Sequence, residues 1–298
     1  MRYGGLSPLP PLVRLKHSFI AAITVALAIS FHASPATSQG LGDLAVAPTR
    51  IVMEGRTRAA QVSLLNKGTD TAVYRVSIIN MQMSESGEYR RVEEGGTAGG
   101  YADALVRFAP RQVELQPGKS QTVRIILRKP AGLQEGEYRS HILFQAVPDP
   151  QTGQSVEMQT SDEGLSIRLV VVPAITIPLI VRHGDLSASA AISDIALTRG
   201  DAANGWRSMV NFSIVRSGAK SLFGDISVSY QPADNQESYV VGKINQLAVY
   251  TPNPRRAISL PLQVPEHVTL SGGRLRVEYR ARPDDGGETI AVGDFALP

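Results

Sequence analysis

Along most of the chain, apolar residues fall on every second position in short runs rich in Val, Ile, Thr and Tyr, closed by clusters of Gly, Pro, Asn and Asp. That alternation predicts half-buried strands in a sandwich, and from Gln39 onward no run carries the 3.6-residue period of an amphipathic helix. Strands are expected at 44–53, 59–65, 72–81, 105–108, 121–127 and 138–147, followed by one long apolar strand over 164–184. That makes about seven, the number of an immunoglobulin-like sandwich. A second series follows at 190–197, 208–216, 225–231, 239–249, 257–262, 273–281 and 290–296. The fold class expected is all-β, two immunoglobulin-like sandwiches in tandem, with domains at 39–183 and 184–298. A short link at 183–187 would hold them in a fairly fixed orientation with a cleft between.

The stretch 164–184 is long and apolar enough to raise the question of a membrane helix. Arg168, Pro173, Pro178 and the dense Val/Ile content argue for a strand instead. Prolines confine its second half to an edge or a bulge, because they cannot donate to a ladder. In its first half every residue keeps its N–H. Leu165, Ile167, Leu169 and Val171 share one face, while Ser166 and Arg168 interrupt the other. A bare apolar edge of this kind templates aggregation, so pairing with a partner chain is expected, or self-association when no partner is bound.

Two loops break the pattern. The Gly-rich piece 93–101 has no strand-to-helix context for cradling phosphate. Residues 148–163 form a long connection beside the apolar edge, placed to gate access to it. Trp206, the single tryptophan, is expected in ordinary packing.

The N-terminus reads as a secretion signal over 1–38: Arg2, Arg14 and Lys16, then an apolar core, then Ala36-Thr37-Ser38 as a small-x-small cleavage site. The apolar core is too short for a span. Removing the segment lowers Lys+Arg from 30 to 27 and leaves Asp+Glu at 27, so the net charge of +3 belongs to the signal. A neutral mature chain gives no footing for nucleic-acid or anionic-membrane binding. Without cysteine, an exported chain must rely on its cores rather than on disulfides.

Catalytic chemistry finds little support. His141, His183 and His267 lack metal-ligand spacing, and no cysteine nucleophile exists. Ser217-Gly218-Ala219-Lys220 matches a bare Ser-x-x-Lys pattern but falls in a turn between strands, a chance match. Asn253-Pro254-Arg255-Arg256 reads as a solvated basic turn. No cofactor, no metal and no enzymatic activity are expected.

Three stretches resemble the periplasmic pilus chaperones of chaperone–usher systems: Ala47-Pro48-Thr49-Arg50-Ile51-Val52, the spaced motif Pro110-x4-Leu115-x-Pro117-Gly118-x4-Val123-Arg124, and Glu137-Tyr138-Arg139-Ser140 leading into the long strand that ends at Arg182. The resemblance covers 44–182 and is only architectural beyond. It implies a boomerang-shaped, two-domain periplasmic chaperone that binds incomplete pilus subunits and delivers them to an outer-membrane usher. The long strand would be lent to the subunit's open groove, its alternate apolar side chains entering pockets while backbone bonds supply affinity.

The resemblance also implies a basic pair that clamps the subunit's terminal carboxylate. Arg50 matches the first member by its Thr-Arg-hydrophobic setting, and a guanidinium fork suits a carboxylate. The second, a lysine on the long strand, is replaced by Thr176 or Pro178, and no lysine occurs from Ala131 to Ala219. Arg182 is the first candidate to substitute, followed by Arg139 and His141. The other function class compatible with tandem sandwiches is a structural or adhesive fibre component. Such a subunit would carry an N-terminal donor extension, whereas Gln39-Gly40-Leu41-Gly42-Asp43 runs directly into the first strand.

Overall fold

The structure is a computed structural model that describes residues 43–93, 95–148, 155–159, 166–170, 172–200, 207–233 and 237–298, with the backbone alone for 155–159 and 166–170. The predicted signal, Leu165, Val171 and Trp206 lie outside the described residues. Among the described residues the regular structure is β, and helix is confined to three-residue 3-10 turns such as Thr97–Gly99 and Asp103–Leu105.

The first sandwich is built from β1 (Leu44–Ala47), β2 (Ile51–Met53), β3 (Ala59–Asn66), β4 (Ala72–Met83), β5 (Tyr89–Val92), β6 (Val106–Ala109), β7 (Gln112–Leu115), β8 (Ser120–Leu127), β9 (Gly136–Ala146) and β12 (Ala174–His183). One sheet runs β1-β3-β8-β6 and the other β2-β12-β9-β4-β5, with β7 on β4. Alternation decides which side chains go inside. Val62 and Leu64 on β3 and Val123 and Ile125 on β8 point inward, meeting Tyr74, Val76, Ile142, Phe144 and Leu179 from the facing sheet.

The second sandwich comprises β13 (Ala188–Thr198), β14 (Met209–Gly218), β15 (Leu222–Gln231), β16 (Tyr239–Val249), β17 (Arg255–Pro261), β18 (Arg274–Ala281) and β19 (Thr289–Ala296). Its sheets run β13-β14-β17 and β16-β15-β18-β19, closing on Phe212, Ile214, Val228, Tyr230, Val277 and Tyr279. Tyr279 is fully buried, and its hydroxyl donates to the Leu247 carbonyl at 3.0 Å, which satisfies its polar end.

Besides the short strands β5 and β7, which were not expected, three details depart from the sequence reading. The expected strand 44–53 is two strands in different sheets, since Pro48 has no N–H to continue a ladder and the chain crosses between layers there. The long strand 164–184 is likewise two. Its first part, β11 (Ser166–Val170), pairs antiparallel with β10 (Ser155–Gln159), and its second is β12. Pro173 stands at the break. Strand β10 occupies part of what read as a loop.

Residues 184–187 connect the sandwiches. Gly184 there has φ +88°, and a Cβ would come within 2.6 Å of Glu135, so only glycine fits. Gly218 packs against the same link, where a Cβ would lie 2.4 Å from the Ser187 carbonyl oxygen.

Candidate functional site

Strand β9 breaks the inside–outside rule, since Glu137 through Ile142 are all buried. Tyr138, Ile142 and Phe144 face the first core, so Glu137, Arg139 and His141 point outward. The second sandwich covers Glu137 and Arg139 there, through Ser221, Thr251 and Tyr250, while Tyr89 of β5 lies against His141. A small apolar cluster seals the junction: Met83 and Ile180, with Val52 against them, meet Ala248, Tyr250 and Phe223. Backbone and side-chain bonds cross it too. Ala257 N–H donates to Glu85 O at 2.9 Å, and Asn253 Nδ2 donates to Met83 O at 2.6 Å. The basic turn at Asn253 is therefore a docking element rather than a solvated loop, because the backbone carbonyl of Met83 gives its side-chain amide a partner.

At this junction Arg182 donates from Nε to Glu137 Oε2 at 2.9 Å and from Nη1 to Glu54 Oε2 at 2.8 Å. Glu137 also receives the Ser221 N–H at 3.1 Å, the Ser221 hydroxyl in a short bond, and the Thr251 hydroxyl at 3.3 Å. One carboxylate thus ties β12 of the first sandwich to two turns of the second. Burial works against the Arg182 charge, yet its bonds to Glu54 and Glu137 hold its pKa above the ordinary guanidinium value. The Glu54 carboxyl is held below its usual range against burial, first by the hydrogen bond and charge of Arg182 and then by the nearby positive charges of Lys220 and Arg50.

Strand β2 sets the position of Arg50. It pairs parallel to β12 with Val52 level with Ile180. Continuing that register places Glu54 by Arg182 and Arg50 by Pro178, so the residue beside Arg50 on the strand is an uncharged proline. Arg50 lies over the Phe223 ring at 4.3 Å, its Nε is buried without a hydrogen-bond partner, and it makes no ion pair among the described residues. Burial lowers its pKa, partly offset by the Tyr250 side chain.

Arg50, Glu54 and Arg182 line one wall of a cleft of about 550 Å³ between the sandwiches. The facing wall carries Lys220, Ser221, Phe223, Asp284, Asp285 and Glu288. The structure therefore brings Arg50 and Arg182 into one cleft, with Arg182 already held by two carboxylates. Arg139 and His141 do not line it. Arg139 packs over Tyr250 at 4.3 Å, and His141 meets Tyr89 edge-on at 5.5 Å, its pKa pushed down to about 3 by burial and by Arg139.

Lys220 was missed by sequence reasoning. It entered only as the end of a chance Ser-x-x-Lys match and as the first lysine after Lys129. Glu137 stood in a stretch singled out for its resemblance, but its role at the junction was not read, since a glutamate on alternate strand positions reads as solvent-facing. Among the described residues no group of three His, Cys, Asp or Glu is placed to hold a metal, and no helix is long and apolar enough to cross a membrane.

Of the four residues on the proposed docking face, Ile167 and Leu169 lie on β11, level with Met158 and Val156 of β10. Strand β11 has no ladder partner on its other edge among the described residues. Its backbone donors and acceptors there are open to a further strand.

The family described as pili and flagellar-assembly chaperone, PapD N-terminal domain, matches residues 43–182. No curated protein matches the chain. Among solved structures, the Pseudomonas aeruginosa CupB2 chaperone is similar at 11% identity, covering 85% of this chain and 100% of its own, with a TM-score of 0.44. The YadV chaperone stands at 13% identity, 86% and 100% coverage and a TM-score of 0.43. The CsuC-CsuE chaperone-tip adhesion subunit pre-assembly complex of Acinetobacter baumannii gives 13% identity, 85% and 97% coverage and a TM-score of 0.41. With residues 43–182 matching that N-terminal domain, the chain resembles the periplasmic pilus chaperones of chaperone–usher systems.

Proposed function

We propose that the protein is a non-enzymatic periplasmic chaperone that captures incomplete pilin-like subunits by lending them the strand Ser166–Val170, and passes them to an outer-membrane usher. The observation that carries this reading is the free edge of β11 in a chain whose residues 43–182 match the chaperone domain. Leu165, Ile167, Leu169 and Val171 supply the alternate apolar side chains. Burying four of them contributes roughly 1.5–3 kcal/mol each before the costs of association are subtracted. Backbone bonds along the edge add register. Export follows from the signal-like 1–38, and the mature chain divides at about residue 183 into a capturing domain and a second sandwich.

The subunit's terminal carboxylate is received in the cleft by Arg50, with Arg182 lining the same wall and fixing Glu54. A cation packed on Phe223 with an unpartnered Nε is pre-organised for an anion, because it gives up no internal ion pair on binding. The experiment is co-purification from the periplasm of the mature protein and of the double variant Ile167→Asp/Leu169→Asp, with identification of any bound chain. A pilin-like chain held one to one by the wild type alone supports capture. Its absence from both overturns the reading.

A further inference from the structure

The register puts an uncharged proline next to Arg50 and commits Arg182 to two carboxylates, so the first sandwich offers one uncommitted guanidinium to an anion in the cleft. The second sandwich offers another cation. Lys220 sits in the turn between β14 and β15, half-buried in the wall facing Arg50. Its ammonium makes no ion pair or hydrogen bond among the described residues, although it is near enough to Glu54 to help hold that carboxyl ionised.

The backbone next to it is pinned. Ser221 gives both its N–H and its hydroxyl to Glu137, and its Oγ accepts the Thr251 N–H at 3.0 Å. Glu137 belongs to the first sandwich. The position of Lys220 is therefore set by a buried carboxylate of the other domain, which is itself oriented by Arg182.

We propose that Lys220 is the second cation of the carboxylate site, so that a bound carboxylate is shared between Arg50 of one sandwich and Lys220 of the other, with Glu137 as the positioning residue. This rests on the carboxylate role proposed for Arg50. Two cations from different domains make the site conditional on docking of the sandwiches. A lysine suits this wall because its flexible stem and single charged end adapt to an anion whose planar fork is already matched by the arginine.

The probe is acetate, with acetamide as its neutral isostere, titrated into the full mature protein while lysine side-chain NMR signals are followed; the Lys220 signal is identified by its loss in Lys220→Met. Acetate should move that signal, acetamide should not, and Arg50→Met should weaken the acetate response at least several-fold. Ser221→Ala, which keeps Glu137 paired with Arg182, should weaken it too, and Lys220→Arg should keep the yield of co-purified chain that Lys220→Met lowers. A Lys220 signal that ignores acetate, or follows acetamide equally, overturns the proposal. If aromatic signals of Phe223 still answer acetate through Arg50, the carboxylate role of Arg50 stands while that of Lys220 falls. If neither answers, both fall, whatever chain the β11 edge captures.

Discussion

Arg182 donates to Glu137 at 2.9 Å across a carboxylate whose side chain has no exposed surface, and that same carboxylate holds Ser221 of the other sandwich. A buried pair of this kind adds little net stability over apolar packing, but breaking it leaves a charge stranded. Glu137→Ala is expected to cost about 3–5 kcal/mol in denaturant unfolding. It should also loosen the link between sandwiches, read as faster proteolysis at residues 184–187. A cost near zero would mean that Arg182 finds Glu54 sufficient.

His141 makes the fold acid-sensitive. Its pKa falls from 6.5 to about 3 in the folded protein, through burial first and Arg139 second. A depressed folded value means that the unfolded chain takes up the proton first, so the stability contributed is complete above 6.5 and is lost as pH falls toward 3. The slope is about 1.4 kcal/mol per pH unit inside that window. His141→Gln should flatten unfolding curves measured between pH 6.5 and 4 by that amount. An unchanged slope would mean that His141 is solvated.

Arg139 is buried with Nε and Nη1 unpartnered and the Tyr250 ring against its face. A buried guanidinium that makes no ion pair costs more to desolvate than a ring contact of roughly 2 kcal/mol returns. Arg139→Met is expected to leave Tm unchanged or raise it. A drop of several degrees would contradict this.

Arg50→Ala should leave the fold intact, since the side chain makes no ion pair, and should weaken subunit capture by roughly 10- to 100-fold, the worth of a charged hydrogen bond of about 1.5–3 kcal/mol. The check is the yield of co-purified chain relative to wild type at equal Tm. An equal yield would place the subunit's end elsewhere.

The strands were legible because one face of each is buried and one wet. The second-sandwich strand expected at 239–249 stands at Tyr239–Val249, and that expected at 121–127 at Ser120–Leu127. Legibility failed where the covering comes from far along the chain. Glu137 and Arg139 alternate like surface residues and are buried because Ser221 and Tyr250, more than eighty positions on, lie over them, while His141 is met by Tyr89 of β5. Lys220 reaches the cleft for the same reason. Pro173 marked the break in the long strand, but β10, the ladder partner of its first half, was hidden because only Val156 and Met158 alternate there, within a long polar stretch.

The most direct test of strand lending is hydrogen exchange at the Ser166–Val170 amides, free and in the co-purified complex. The account predicts that amides facing the open edge exchange quickly in the free protein and slow at least a hundredfold in the complex, while β9 amides hold their rate. Equal exchange in both states would contradict it, since a lent strand cannot leave its edge unbonded.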